Sequence, residues 1–229
     1  AFDGKRMIGF CINGIGQWQK KSTAYDAGTG IIPEYRGRGV AKELFAFLES
    51  RLKEAGVSQY LLEVLTSNVP AATLYRKLGF VEKRRLAVFR AGPEDSKTAE
   101  RSTRDVSLKR VAQPDWQLFQ TFWDGYPSWQ NSIDAVERVF NDMTIIAAYA
   151  NAECVGYGAL FRPAASLMQL VVSQPYRRQR IGSAILAALE TSERLKINNI
   201  DEDLIGTLAF YETNGYKQVL AQHEMIKTL

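Results

Sequence analysis

The stretch Pro33-Glu34-Tyr35-Arg36-Gly37-Arg38-Gly39-Val40-Ala41 decides how this chain reads. An apolar strand, Thr29-Gly30-Ile31-Ile32, leads into it, and Val40, Leu44, Leu48 and Leu52 follow at helical spacing. Two glycines and two arginines therefore fall at the start of a helix. Backbone N–H groups without an intrahelical partner meet the positive end of the helix dipole there, which suits an anion such as a pyrophosphate. Glycine lets the backbone approach phosphate oxygens with no side chain in the way. Arg36 and Arg38 add charge at the rim. By itself the stretch also fits a surface turn closed by a glycine cap.

A second segment, Asn68-Val69-Pro70-Ala71-Ala72-Thr73-Leu74-Tyr75-Arg76-Lys77-Leu78-Gly79-Phe80, reads as a short helix. Asn68 or Ser67 suits the N-cap, Pro70 the first turn and Gly79 the residue just past the end. Ala71, Leu74, Tyr75 and Leu78 share one face. The preceding run Tyr60-Leu61-Leu62-Glu63-Val64-Leu65 predicts a buried strand.

Together the two segments resemble the two signatures of the GNAT family of N-acetyltransferases, Arg/Gln-x-x-Gly-x-Gly/Ala and Asn-x-x-Ala-x-x-x-Tyr-x-x-x-Gly-Phe. The first is met by Arg36-Gly37-Arg38-Gly39-Val40-Ala41 and the second by Asn68 to Phe80, in the family's order. Agreement of order, spacing and local context makes chance an unattractive explanation.

The later chain repeats both segments. Tyr176-Arg177-Arg178-Gln179-Arg180-Ile181-Gly182 parallels the loop, and Phe210-Tyr211-Glu212-Thr213-Asn214-Gly215-Tyr216 parallels Leu74 to Phe80. Upstream, Asp3-Gly4-Lys5-Arg6-Met7-Ile8-Gly9-Phe10 matches Asn151-Ala152-Glu153-Cys154-Val155-Gly156-Tyr157, each a turn running into a strand. A repeat of this size implies two copies of one fold. The expected architecture is α/β (α+β): two tandem GNAT-like domains, each a mixed, mostly antiparallel sheet with splayed central strands, flanked by helices. The expected boundaries are residues 1–90, a polar linker at 91–105 and residues 106–229. The second copy predicts a strand at Val106 to Val111, helices at Trp116 to Trp123 and Ser132 to Phe140, and a strand at Thr144 to Tyr149. The first copy lacks these counterparts, so it reads as incomplete at its N-terminus. Either the polypeptide continues upstream or this half dispenses with the family's first strand and helices.

The resemblance implies acetyl transfer from acetyl-CoA to a primary amine by direct attack. It implies that the pantetheine arm lies in the gap between the family's fourth and fifth strands, along Thr29 to Ile32, where a backbone N–H meets the thioester oxygen. The coenzyme contacts it implies are Ile31, Ile32, Arg36, Gly37, Arg38, Gly39, Val40, Ala41 and Asn68. Asn68 also reads as a plain helix cap. Tyr75 matches the family's acid for the departing thiolate, and also reads as a packing residue. Asp26 stands near the place where some members carry a catalytic glutamate, and also reads as a turn or strand-edge residue. Glu63 is a weaker candidate base, and many members work through ordered water alone. Strict alternation places Asp26, Gly28, Gly30 and Ile32 on one face, with Thr29 and Ile31 on the other.

The second copy departs from the pattern. Arg180 stands where the loop glycine belongs, and Leu204 where Asn68 stands. A bulky residue at the close-approach position weakens pyrophosphate binding, so the first half is expected to be the catalytic one. The aromatic stretch Trp123-Asp124-Gly125-Tyr126-Pro127-Ser128-Trp129 corresponds to a region that often lines the acceptor site in this family, and otherwise reads as core and loop.

Composition limits the alternatives. The 229 residues, 46% hydrophobic, can build two ordinary cores. No apolar run is long enough to span a membrane. Cys11 and Cys154 fall in equivalent strands and read as small core residues, which fits a reducing cytoplasm. With one histidine, His223, no metal cluster is proposed. The net charge of +4 is spread along the chain and carries no nucleic-acid motif. The acceptor class stays open between a small molecule and a peptide, as does the oligomeric state. The alternative functions are a non-catalytic acyl-CoA or ligand-binding module and an interaction protein that reuses the fold.

Overall fold

The computed structural model describes residues 1–91, 106–190 and 194–229. The chain forms two compact units that do not follow its linear order. The first comprises Ala1–Arg85 and Gln222–Leu229, and the second Leu86–Ala221. The C-terminal segment thus completes the first unit, which the boundary expected at residue 90 does not anticipate. All of the linker expected at 91–105 except Ala91 lies outside the described residues.

The first unit opens with a two-stranded ribbon, β1 (Phe2–Asp3) and β2 (Arg6–Met7). β3 (Gly9–Trp18) and β4 (Lys21–Ile31) form an antiparallel hairpin. Helix α1 (Val40–Glu54) leads to β5 (Gln59–Leu65), which pairs parallel with β4. Helix α2 (Val69–Lys77) follows, and then β6 (Val81–Ala91). On the far side of β5 lies the end of the last strand of the chain, antiparallel from Gln222↔Leu65 to Thr228↔Gln59. Phe45, Leu52, Tyr60, Leu62, Val64, Phe80 and Met225 form the core. Each large apolar side chain buried this way contributes about 1.5–3 kcal/mol.

Helix α2 closes as its sequence predicts. Gly79 takes φ +90°, its N–H bonds to the carbonyl of Arg76 at 3.0 Å, and the Phe80 N–H reaches Tyr75 at 3.0 Å. These two bonds satisfy the last helical carbonyls and seat Phe80 against Tyr75.

The second unit contains β7 (Ser107–Arg110), α3 (Trp116–Gln120), α4 (Ile133–Arg138), β8 (Met143–Ala150), β9 (Glu153–Phe161), β10 (Ser166–Val172), α5 (Ile181–Leu189), β11 (Lys196–Asp201), α6 (Ile205–Thr213) and β12 (Tyr216–Thr228), whose end joins the first unit. Its sheet runs β7, β8, β9, β10, β11 and then the end of β6. Every neighbouring pair is antiparallel except β10 and β11. Phe119, Phe122 and Val136 cover one face over Ile145, Tyr157 and Ala159. Helices α5 and α6 cover the other over Leu167 and Ile197.

In both units the parallel central strands part company. β4 and β5 pair from Thr23↔Gln59 to Asp26↔Leu62 and no further. β10 and β11 pair only at Ser166↔Lys196 and Leu167↔Ile197. The splayed sheet expected from the sequence is therefore present twice.

Candidate active site

In the first unit the chain leaves β4 through a short 3-10 turn, Pro33–Tyr35, and enters α1 at Gly39. Gly37 has φ +73° and Gly39 φ +86°, a backbone region costly to residues with a Cβ. A Cβ built on either glycine meets nothing within 4 Å, so the loop faces open space. Glu43 is the first residue whose N–H bonds back into the helix, to Gly39 at 3.1 Å. No side chain caps the end, so the N–H groups of Val40, Ala41 and Lys42 point outward. The Arg36 guanidinium is folded back, its Nε donating to the Ile31 carbonyl at 3.0 Å. Arg38 stacks 5.2 Å from the centre of the Tyr35 ring. Ile32 is tied by its N–H to Ile8 at 3.0 Å.

Beyond the loop lies the gap between β4 and β5. Strict alternation along β4 fails here. Ala27 is an extra residue: Asn13 faces Asp26, and the next residue of β3, Ile12, faces Gly28. This bulge shifts the phase, so Asp26 and Thr29 share a face instead of opposing one another. The Thr29 hydroxyl donates to Asp26 Oδ2 at 2.8 Å, and the Gly28 N–H to Oδ1 at 2.9 Å. The bulge sits where β4 and β5 separate, at Asp26↔Leu62.

The structure thereby gathers Cys11, Asn13, Asp26, Thr29 and Tyr60 into one half-buried polar cluster, and Tyr75, far from Asp26 in sequence, comes near enough to feel its charge. Cys11 Sγ lies 3.5 Å from Asp26 Oδ1, 3.0 Å from Thr29 Oγ1 and 3.4 Å from the Tyr60 hydroxyl. Tyr60 in turn donates to Asn13 Oδ1 at 2.5 Å. Burial pushes the Asp26 carboxyl above its ordinary range, against the opposing bonds from Thr29, Gly28 and Cys11. Burial also pushes the Tyr75 phenol up, as do the charges of Asp26 and Cys11, against contact with Thr29. The Cys11 thiol is raised too, chiefly by burial, which keeps it protonated and disfavours a nucleophilic role.

The two readings of Tyr75 are compatible. Its ring packs 5.7 Å from Phe45 and 5.8 Å from Phe80, while its phenol feels the charges of Asp26 and Cys11. Asn68 caps α2, accepting from the Ala71 N–H at 3.2 Å, and its side chain stays exposed. Glu63 lies elsewhere, accepting from the Tyr25 hydroxyl at 3.0 Å. The sequence reading passed over Asn13 and Tyr60, treated Cys11 as a core residue and set Thr29 on the wrong face. The one local hint was a run of polar residues, Cys11, Asn13, Asp26 and Thr29, on strands that otherwise look buried.

The second unit reproduces the loop backbone with different residues. Arg178 has φ +62° and Arg180 φ +59°, in the places of Gly37 and Gly39. Arg177 Nε donates to the Val172 carbonyl at 2.8 Å, as Arg36 does to Ile31, and its Nη1 also reaches Asp124 at 3.0 Å. The bulge recurs as well, at Met168 between Leu167 and Gln169. The polar cluster does not. Gly158, Leu160, Leu167 and Leu170 stand where Cys11, Asn13, Asp26 and Thr29 stand in the first unit, read from the paired registers. The gap beside β10 is a cavity of about 100 Å³ lined by Trp123, Tyr126, Gln169, Asn199, Leu204 and Tyr211. Trp123 and Tyr126 of the aromatic stretch thus line a cavity, while Trp129 is buried. Among the described residues no three His, Cys, Asp or Glu side chains group to hold a metal ion, and no helix is long and apolar enough to cross a membrane.

A doubly occurring splayed sheet, each copy with a glycine- or arginine-bearing loop at a helix N-terminus, defines a tandem acetyltransferase fold. Comparison with known proteins agrees. Residues 1–80 match the Acetyltransferase (GNAT) family and residues 141–218 an Acetyltransferase (GNAT) domain, so the chain belongs to the GNAT family of acetyltransferases. It is 34% identical to N-alpha-acetyltransferase MAK3 of Arabidopsis thaliana over 86 residues, 38% of this chain and 45% of that protein. It is 32% identical to the N-terminal acetyltransferase B complex catalytic subunit NAA20 of Arabidopsis thaliana over 114 residues, 47% of this chain and 63% of that protein. The chain thus spans about half the length of the curated relatives it matches. Among solved structures, a tandem GNAT protein from the clavulanic acid biosynthesis pathway superposes with TM-score 0.68 at 13% identity, over 99% of this chain and 81% of that one. A GCN5-related N-acetyltransferase from Sphaerobacter thermophilus gives TM-score 0.69 at 14% identity, over 90% and 72%. At such identities these likenesses concern the fold.

Proposed function

We propose that the first unit transfers an acetyl group from acetyl-CoA to a primary amine, and that the second unit supports it without binding the coenzyme. The observation that carries this reading is the open, uncapped N-terminus of α1, beside the strand gap that begins at Asp26. The pyrophosphate takes the N–H groups that follow Gly39, with Ile31, Ile32, Arg36, Gly37, Arg38, Val40 and Ala41 forming its bed. Asn68, which fixes the start of α2, joins these coenzyme contacts on the pantetheine side.

The amine attacks the thioester carbonyl directly, the C–S bond breaks, and CoA leaves as a thiolate. Asp26 removes the extra proton from the attacking nitrogen. A carboxyl held high by burial is a stronger base than an exposed one, and so better matched to an ammonium proton. Tyr75 supplies a proton to the thiolate. In the second unit the arginines at the two turn positions project side chains where the glycines leave room, and Leu167 replaces the acid.

The names of the relatives favour the α-amine of a peptide as the first acceptor to try. The free thiols of Cys11 and Cys154 suit a cytoplasmic location. The test is incubation with acetyl-CoA and a panel of peptides and small amines, read by mass spectrometry. Gain of one acetyl group on an amine supports the reading. Acetyl-CoA binding without transfer to any amine would turn it toward a binding module.

A further inference from the structure

We propose that Thr29 and Cys11 are positioning residues that hold the Asp26 carboxylate in one orientation, Thr29 from its own strand and Cys11 from the neighbouring one. The use of this hold in catalysis rests on the acetyl-transfer reading, whereas the hold itself is a property of the free protein.

Three donors reach the carboxylate. The Thr29 hydroxyl donates to Oδ2 at 2.8 Å, the Gly28 N–H to Oδ1 at 2.9 Å, and the Cys11 thiol lies 3.5 Å from Oδ1. Cys11 is placed in turn by Asn13, whose Nδ2 is 3.4 Å from the sulfur, and Asn13 by Tyr60, which donates to its Oδ1 at 2.5 Å. Both carboxylate oxygens are engaged, so turning the group breaks bonds to a charged acceptor, which are the strong ones. Burial pushes the carboxyl up, and the bonds from Thr29, Gly28 and Cys11 pull it back. Raised without them, it would keep its proton and be idle as a base. The other titratable groups around it are Tyr60 on β5 and Tyr75 on α2, and burial pushes both phenols up, which keeps them neutral.

The second unit supplies the control. Read from the paired registers, Gly158, Leu160, Leu167, Leu170 and Leu195 stand where Cys11, Asn13, Asp26, Thr29 and Tyr60 stand in the first. The bulge at Met168 forms all the same, and the parallel strands still part. Leu160, Leu167 and Leu195 are buried there. Neither the bulge nor the splay therefore needs the polar groups, and burying them costs free energy that leucine does not. All five places are polar where the acid is present and apolar where it is absent. The network serves the carboxylate, not the strand geometry.

The test is the titration of the Asp26 carboxyl, followed by carbon NMR of protein labelled at aspartate Cγ and assigned by its loss in Asp26→Asn. Thr29→Val and Thr29→Ala should each raise the Asp26 midpoint by about one unit, and Thr29→Ser should return it to the wild-type value. Cys11→Ala should raise it by a smaller step, about 0.3 unit. A midpoint that stays within about 0.1 unit of wild type in the folded Thr29 variants, or in Cys11→Ala, overturns the proposal. With acetyl-CoA and a peptide amine, the acidic limb of kcat/KM should move up with the midpoint in Thr29→Val, KM for acetyl-CoA staying within about twofold. A limb that stays in place while the midpoint moves would remove the use in catalysis. Midpoint shifts in a protein that transfers no acetyl group would sink the acetyl-transfer reading and leave the hold standing.

Discussion

Arg84 holds Glu224 with two hydrogen bonds, Nε to Oε2 at 2.7 Å and Nη2 to Oε1 at 2.9 Å. The carboxylate is 1% exposed and the guanidinium 13%. The pair fastens the end of β12 to the first unit, beside the ion pairs His223–Glu82 and Lys227–Glu49. Breaking a buried pair from one side leaves an uncompensated charge. Glu224→Ala is expected to lower unfolding free energy by about 3–5 kcal/mol in a urea titration, whereas the double change Arg84→Met with Glu224→Leu should cost far less.

Asp26 makes stability fall as pH rises. Its folded-state carboxyl is raised by burial, so the native protein holds this proton more tightly than the unfolded chain. Its favourable contribution is complete below the unfolded value, about 4, and is lost as pH rises through the higher folded value. Asp26→Asn should therefore raise Tm at pH 7 relative to wild type, with a smaller gain at pH 4. An equal change at both values would contradict the assignment.

Gly39 is held at φ +86° with nothing nearby for a Cβ to strike, so a side chain there costs backbone strain rather than a clash. Gly39→Ala should lose about 1 kcal/mol of stability. It should also weaken acetyl-CoA binding, because the new methyl group occupies the face that the pyrophosphate approaches. Calorimetry on the folded variant reads both effects.

Tyr75→Phe keeps the ring between Phe45 and Phe80 and removes only the hydroxyl. The expected result is a drop in kcat of about 10²-fold or more with little change in acetyl-CoA affinity, since general acids typically contribute that much. An unchanged kcat would return Tyr75 to a packing role.

Legibility in the sequence followed locality. The loop and α2 were readable because Gly39, Asn68, Pro70 and Gly79 act through chemistry confined to a few residues, and each sits as that chemistry requires. The bulge was not readable. Alanine at position 27 carries no turn signal, and the period of two assumes an unbroken strand. Missing it put Thr29 on the wrong face and hid the cluster. The place of Gln222–Leu229 was also invisible, since strand pairing depends on partners far away in sequence, as Arg84 and Glu224 illustrate. The sequence shows the second loop's glycine replaced by Arg180 but does not show what backbone that loop adopts. That loop keeps the geometry, with Arg178 and Arg180 bearing the strain.

The central claim is that acetyl-CoA binds in the first unit, at the loop around Gly39. Titration of acetyl-CoA by calorimetry into wild type, Gly39→Arg and Arg180→Gly tests it most directly, with circular dichroism confirming that each variant is folded. One site is expected in wild type, lost in Gly39→Arg and unchanged in Arg180→Gly. Binding that survives Gly39→Arg in a folded protein would contradict the account.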